Sequence, residues 1–147
     1  MLSNLMRYMI YESSKERVQL TQELQYINDY IELESIRLNE SFKMEFTING
    51  DGNPKIAPLV LFPFFENAFK HGISYSHAST IHIHIKVFEK ILTLYVENPV
   101  VENNSFAGGL GLRNVKRRLE LLYPGHHTLG IEQKDHLNIV NLKIDLS

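Results

Sequence analysis

Residues 58–72 read PLVLFPFFENAFKHG, and this stretch decides how the rest of the chain is interpreted. It is apolar at first and then gathers polar side chains within a few positions, namely Glu66, Asn67, Lys70 and His71. On a helix, Glu66 and Lys70 are i,i+4 neighbours, and Asn67 has the same spacing from His71. Polar groups on a mostly buried helix cost free energy unless they have partners. The stretch therefore predicts either an internal Glu66–Lys70 salt bridge, the more common case for such a pair, or a polar site on this helix.

The composition is that of one folded globular domain. The 147 residues are 44% hydrophobic and 22% charged, and 15 Lys+Arg against 17 Asp+Glu give a net charge of −2. The absence of cysteine excludes disulfides, thiolate metal centres and cysteine nucleophiles. The near-neutral charge gives no bulk electrostatic argument for nucleic acid. No apolar stretch approaches the roughly 20 residues that a membrane helix needs.

The order of predicted elements favours an α+β two-layer sandwich over a doubly wound fold. Helical spacing predicts two N-terminal helices, over 2–11 and over 21–39, with Thr21 as N-cap and Glu23 in the first turn. Each carries an apolar stripe that could pair with the other helix, with the following domain or with a second chain. Further helices are expected within 59–71 and over 110–123. Alternation predicts strands over 42–48, 80–88, 91–96, 128–133 and 137–146.

Two further features concern phosphate and purine chemistry. Residues 108–112 read GGLGL and open a helix, where glycines let backbone N–H groups approach an anion. The following basic residues, Arg113, Lys116, Arg117 and Arg118, are expected on a solvated face, although Arg113 could reach a phosphate. Asn98 ends a strand, where an amide can read a purine edge but is more often a turn residue.

His82 and His84 fall on one face of a predicted strand. Two histidines at this spacing can chelate a metal, but no third ligand is evident nearby. An exposed polar face is the favoured interpretation.

Together, these features resemble the GHKL (Bergerat) ATP-binding fold, and within it the LytS-like two-component sensor histidine kinases. Residues 58–72 are similar to that family's N box, and residues 109–124, GLGLRNVKRRLELLYP, to its second glycine box. Residues 26–37, YINDYIELESIR, resemble the helix that precedes its catalytic domain. The resemblance implies a two-layer α/β sandwich with a mixed sheet over 41–147. It also implies that residues 1–40 are helices of the dimerisation region.

The resemblance also implies site residues. Asn67 would be the Mg²⁺ ligand, Glu66 would orient or polarise a metal-bound water or the acceptor, Lys70 would face the phosphates and His71 would support them. The glycine-rich helix start would wrap the triphosphate of ATP through Gly109, Leu110, Gly111, Leu112 and Arg113. Asn98 stands where the family has an adenine-reading Asp, and the family's first glycine box, Asp-x-Gly-x-Gly, is absent. The family's Asn-Pro-His-Phe-like acceptor motif is absent as well.

The implied function is that of a kinase catalytic domain. It would bind Mg·ATP and transfer the γ-phosphate to a histidine upstream of this chain, for relay to an Asp of a response regulator. This chain alone should bind ATP without autophosphorylating. The full-length protein is expected to be a homodimer, with this part on the cytoplasmic side of a bacterial inner membrane and no nucleic-acid partner. The alternative is a degenerate nucleotide-binding or dimerising module, and a nucleic-acid reader using residues 113–118 is a distant third.

Overall fold

The computed structural model describes residues 2–12, 14–36, 42–71, 79–100 and 110–147. The helices are α1 (Leu2–Arg7), which continues into a π-helical turn (Tyr8–Glu12), α2 (Leu20–Ile36), α3 (Phe62–His71) and α4 (Leu110–Leu122). The strands are β1 (Val18–Gln19), β2 (Phe42–Gly50), β3 (Lys55–Ile56), β4 (Ser79–Phe88), β5 (Ile91–Pro99), β6 (His127–Lys134) and β7 (Leu137–Asp145).

The main sheet has five strands in the order β2-β4-β5-β7-β6. Strands β2 and β4 are parallel, and the other neighbours are antiparallel. The hairpin turn between β4 and β5 has positive φ angles at both central residues, 50° at Glu89 and 66° at Lys90. This conformation matches the twist of the flanking strands. At the end of β2, Gly50 has a φ of 116° and lies against the backbone of Val87, where no side chain would fit.

One face of the sheet is buried and the other is polar. Strand β4 turns Ile81, Ile83 and Ile85 into the core, and its intervening side chains are partly or fully exposed. Helices α3 and α4 cover the buried face and contribute large apolar side chains, among them Phe64, Phe65, Leu112 and Leu119. The expected α+β two-layer fold with a mixed sheet is therefore confirmed.

Helix α2 is tied to the rest of the fold at its first turn. The backbone N–H of Leu20 donates to the carbonyl of Pro54 at 2.9 Å, and that of Thr21 donates to the carbonyl of Gly52 at 3.3 Å. The two-residue strands β1 and β3 pair next to this point. Thr21 is therefore not the N-cap, because the helix begins at Leu20 and the turn before β3 satisfies these early donors.

The N-terminal helix buries fewer apolar residues than its spacing predicts. Leu5 and Tyr8 are buried, whereas Met6 and Met9 are 54% and 53% exposed. Residues 37–41, and with them the end of the helix predicted over 21–39, lie outside the described residues. No helix in the described ranges has the length and apolarity needed to cross a membrane.

Candidate functional site

Helix α3 presents a polar side on an otherwise buried helix. Phe64, Phe65 and Ala68 are buried in the core. Glu66 and Lys70 are exposed, and Asn67 is half-buried. Among the residues that the structure describes, no ion pair joins Glu66 to Lys70, so the predicted internal salt bridge is not formed. The acid, the amide and the cation thus lie together on the accessible side, available to a ligand.

Aromatic rings join α3 to α2. Tyr26 meets Phe62 edge-on at a centroid distance of 5.2 Å, and Tyr30 contacts both Phe62 and Phe69, at 4.8 and 5.6 Å. Burial raises the pKa of the Tyr26 phenol, and the charges of Glu23 and Glu66 raise it further. The polar side of α3 therefore adjoins the α2 interface.

The segment that leads into α3, residues 57–61, is held by charged side chains from two other helices. Glu23 of α2 accepts from the backbone N–H of Leu59 at 2.9 Å and of Leu61 at 3.4 Å. Arg118 of α4 donates to the carbonyl oxygens of Pro58 and Leu59 at 2.6 and 3.0 Å. The prediction that Arg118 lies on a solvated face is wrong, because these carbonyls draw its guanidinium into a half-buried position.

One buried asparagine lies near the end of β5 and another near the start of the antiparallel neighbour β7. Leu92, Leu94 and Val96 point inward from β5, and Asn98 continues this stripe at 1% exposure. Directly across the ladder, Asn138 is 3% exposed and pairs in register with Asn98. The Asn98 amide donates to its neighbour's carbonyl at Pro99, 3.3 Å away. The side-chain oxygen of Asn138 has no hydrogen-bond partner among the described residues. A buried acceptor without a donor is unfavourable, so Asn138 leaves an unsatisfied polar group among otherwise apolar inward positions.

Helix α4 begins at the predicted glycine-rich stretch. The side chain of Leu112 is buried in the core, so any contribution to ligand binding comes from its backbone. Arg113, in the first turn, is exposed. Gly109 and residues 101–108 lie outside the described residues. The structure also does not describe the side-chain surroundings of His71, Leu110 and Gly111.

The opposite face of the sheet carries the two strand histidines. His82 lies between two carboxylates, with Nδ1 2.8 Å from Glu45 Oε2 and Nε2 3.9 Å from Glu97 Oε2. Tyr95 donates to Glu97 at 2.7 Å, and burial together with this bond raises the pKa of Tyr95 to about 12. Within the described ranges, no group of three or more His, Asp or Glu side chains could hold a metal ion. Both histidines lie on the polar face of the sheet, as expected.

Three residues missed as site components are Glu23, Arg118 and Asn138. Asn138 could have been identified from the sequence, because it falls on the same alternating positions of its strand as the inward-pointing Val140, Leu142 and Ile144. A polar residue at an inward position of a strand predicts a buried polar group. Glu23 and Arg118 carried no such signal, since charged residues on a helix usually face solvent.

Comparisons with known proteins show which proteins this chain is similar to in sequence and in fold. The sequence profile of the family described as Histidine kinase matches residues 1–42. Sensor histidine kinase YpdA of Escherichia coli K12 is 29% identical over 134 residues, which cover 83% of this chain and 24% of that protein. Sensor protein kinase HptS of Staphylococcus aureus RF122 is 26% identical over 162 residues, covering 99% of this chain and 31% of that protein.

Solved structures show the same fold. The histidine kinase domain of the blue-light activated histidine kinase EL346 of Erythrobacter litoralis superimposes with a TM-score of 0.61 at 18% identity, covering 90% of this chain and 69% of that one. The catalytic domain of histidine kinase ThkA gives a TM-score of 0.61 at 14% identity, with 88% and 95% covered. The fold is that of histidine kinase catalytic domains, and the expected resemblance to sensor histidine kinases is confirmed. The aligned part of the chain covers 24% of the length of YpdA and 31% of the length of HptS, so the chain spans under a third of either relative.

Proposed function

We propose that this chain is the ATP-binding catalytic domain of a sensor histidine kinase. It binds Mg·ATP on the polar side of α3 and transfers the γ-phosphate to a histidine on a segment outside this chain. A response regulator then accepts the phosphoryl group on an Asp. Phosphoryl transfer of this kind depends on positioning and charge neutralisation more than on a protein nucleophile.

The observation that carries this proposal is the accessible polar side of α3. Glu66, Asn67 and Lys70 occupy solvent-accessible positions on a helix whose remaining side chains are largely buried. A cation and an amide oxygen on one rigid helix suit a metal–phosphate group, because Lys70 offers charge to the phosphates and Asn67 offers a ligand to the metal. Glu66 is placed on the same side, where it would orient a water or the incoming acceptor.

The donor set fits magnesium. Mg²⁺ takes oxygen ligands and is commonly held by one or two protein groups, with phosphates and waters completing its octahedron. Asn67 offers one amide oxygen, and the described residues include no larger carboxylate cluster that would suit a metal bound by protein alone. When bound, the metal would neutralise the charge that develops on the phosphate oxygens.

The buried Asn98–Asn138 pair is the proposed base-binding end. An amino group of adenine donates hydrogen bonds, and the unpartnered oxygen of Asn138 accepts them. Asn98 provides an amide where the family has a carboxylate. Helix α4, with Arg113 exposed in its first turn, follows the segment expected to wrap the triphosphate.

Calorimetric titration of ATP and ADP into the chain, with and without Mg²⁺, tests the proposal. Magnesium-dependent ATP binding is expected, and it should be lost in Asn67→Ala. Asn141→Ala is a matched control, because Asn141 is exposed on β7 and points away from the core. Failure to bind at millimolar nucleotide would reject the nucleotide site.

A second candidate is an association module without kinase activity. The exposed apolar side chains of the N-terminal segment favour it, with Met6 at 54%, Ile10 at 59% and Tyr11 at 66% exposure. Apolar patches of this kind mark protein–protein contacts. Sedimentation equilibrium separates the two candidates, since a dimer that binds no nucleotide would support the association module alone.

A further inference from the structure

A buried carboxylate joins α2 to the start of α3. Glu23 is fully buried and accepts three hydrogen bonds. Its Oε2 accepts from the Tyr8 hydroxyl at 2.5 Å and from the Leu59 N–H, and its Oε1 accepts from the Leu61 N–H. Three donors around one carboxyl group satisfy its ionised form, because a carboxylate only accepts. An anion next to the N-terminus of α3 is also favoured by the helix dipole.

The segment between these helices, residues 57–61, is also bound from α4. Arg118 donates to Pro58 and Leu59, and the Tyr123 hydroxyl accepts from the Ala57 N–H at 2.9 Å. Leu59 has a φ of 60°, a backbone conformation that residues other than glycine rarely adopt. Its N–H and its carbonyl are thus fixed by side chains from two different helices. This short segment is the point at which α2, α3 and α4 meet.

We propose that Glu23 is a positioning residue that couples α2 to the nucleotide site. Through residues 57–61 it fixes the start of α3, and with it Asn67 and Lys70, relative to α4. The inference rests on the proposed function, because those α3 residues are the ones assigned to metal and phosphate. A displacement of α2 would then change nucleotide affinity, and by linkage nucleotide binding would stabilise the docked position of α2.

The hydrogen bonds of Glu23 act at a different place from the aromatic contacts. The rings of Tyr26, Tyr30 and Phe62 pack the side of α2 against α3, whereas the carboxylate of Glu23 binds backbone N–H groups of the segment that leads into α3. Asn67 lies six residues after Leu61, about 9 Å along a helix at 1.5 Å per residue. A rigid helix of this length transmits a shift of its first turn to the residues that face the ligand.

Amide hydrogen exchange measured by NMR, with and without Mg·ATP, tests the coupling. The variants are Glu23→Gln and the control Glu32→Gln, since Glu32 is exposed on the same helix. In the unaltered chain and in the control, Mg·ATP should slow exchange in α2 by fivefold or more. In Glu23→Gln, α3 should still be slowed while α2 is not, and the dissociation constant for ATP should rise about fivefold or more.

A purely structural role for Glu23 would give a different result. Exchange in α2 would then be faster in Glu23→Gln, but Mg·ATP would slow it by the same factor as in the unaltered chain. That outcome, or an unchanged affinity for ATP, overturns the coupling. If Glu23→Gln does not fold, Tyr8→Phe removes one donor and keeps the carboxylate, and part of the coupling should be lost.

Failure of the proposed function would be recognised separately. If the unaltered chain does not bind Mg·ATP, the nucleotide site is rejected, and the mechanical link is judged without nucleotide. Glu23→Gln should then speed exchange in both α3 and α4 by about fivefold or more relative to Glu32→Gln, because the link acts through residues 57–61. Unchanged exchange in α4 would overturn the link.

Discussion

Glu23 and Arg118 bind the N–H and the carbonyl of the same residue, Leu59, although 95 positions separate the two charged residues in the chain. Glu23 Oε2 accepts from the N–H of Leu59 at 2.9 Å, and Arg118 Nη1 donates to the carbonyl of Leu59 at 3.0 Å. The positive φ of Leu59 is a conformation that costs a residue with a side chain about 1–2 kcal/mol. The two charged partners offset that cost and place the start of α3 between α2 and α4.

Arg118→Lys should lower the free energy of unfolding by about 1–3 kcal/mol. Lysine keeps the charge but lacks the planar fork that bonds the carbonyls of Pro58 and Leu59 together. Urea denaturation followed by circular dichroism measures the change. Arg117→Lys is the matched control, because Arg117 is exposed and its replacement should alter stability by less than about 0.5 kcal/mol. Equal effects of the two substitutions would contradict the assigned role of Arg118.

The stability of the chain should carry a pH dependence that originates at Glu23. Burial raises the pKa of this carboxyl above its ordinary 4.5, and the hydrogen bond from Tyr8, those from the Leu59 and Leu61 amides and the charge of Arg118 oppose the shift. The folded protein therefore holds the proton more tightly than the unfolded chain does. The contribution of Glu23 to the free energy of unfolding should fall as pH rises from 4.5 to the folded pKa.

Urea denaturation between about pH 4 and pH 7 measures this effect in the unaltered chain and in Glu23→Gln. As pH rises, the free energy of unfolding of the unaltered chain should fall relative to that of Glu23→Gln. The total fall should be about 1.4 kcal/mol for each unit by which folding raises the pKa of Glu23. Parallel curves for the two proteins would show that Glu23 does not titrate differently in the folded state. Tyr8→Phe should steepen the dependence, because the Tyr8 hydroxyl is the largest of the influences that lower the pKa of Glu23.

Lys70→Gln should weaken binding according to the number of phosphates on the ligand. If Lys70 faces the phosphates, the loss should be greatest for ATP, smaller for ADP and negligible for adenosine, because the attraction depends on ligand charge. Calorimetric titration of the three ligands measures the order. Lys86→Gln on the polar face of the sheet is the control, since Lys86 is also exposed but lies on a strand away from α3. Equal losses for adenosine and ATP would contradict the assignment of Lys70 to the phosphates.

The sequence predicts those parts of the fold in which local periodicity reflects burial. The alternation around Ile81, Ile83 and Ile85 predicts β4, and the structure buries all three side chains. The helices α3 and α4 likewise follow from apolar spacing, and their predicted ends agree with the structure to within a few residues. The strands β1 and β3 were not predicted, because two residues are too few to show a period.

The missed parts of the site depend on contacts that join distant segments of the chain. Glu23 was predicted as a first-turn acid that favours its own helix, whereas it bonds the backbone 36 and 38 positions away. Arg118 was predicted on a solvated face for the same reason, since helical spacing does not reveal a carbonyl 59 or 60 positions away. The accessible side of α3 was predictable, because Glu66, Asn67 and Lys70 share one side of a short helix.

Asn98→Asp should destabilise the protein, although it introduces the aspartate that the resemblance to sensor histidine kinases leads one to expect at this position. A carboxylate at position 98 would lose the hydrogen bond that the amide donates to the carbonyl of Pro99, and it would face the unpartnered oxygen of Asn138 across the ladder. Because the site is almost completely buried, the cost should be about 1–3 kcal/mol or more in the free energy of unfolding at neutral pH. Urea denaturation measures it, with Asn141→Asp on the exposed side of β7 as control. Asn98→Asp combined with Asn138→Thr should recover part of the loss, because a hydroxyl can donate to the new carboxylate. If Asn98→Asp alone is as stable as the unaltered chain, the asparagine pair does not determine the polarity of this sheet end.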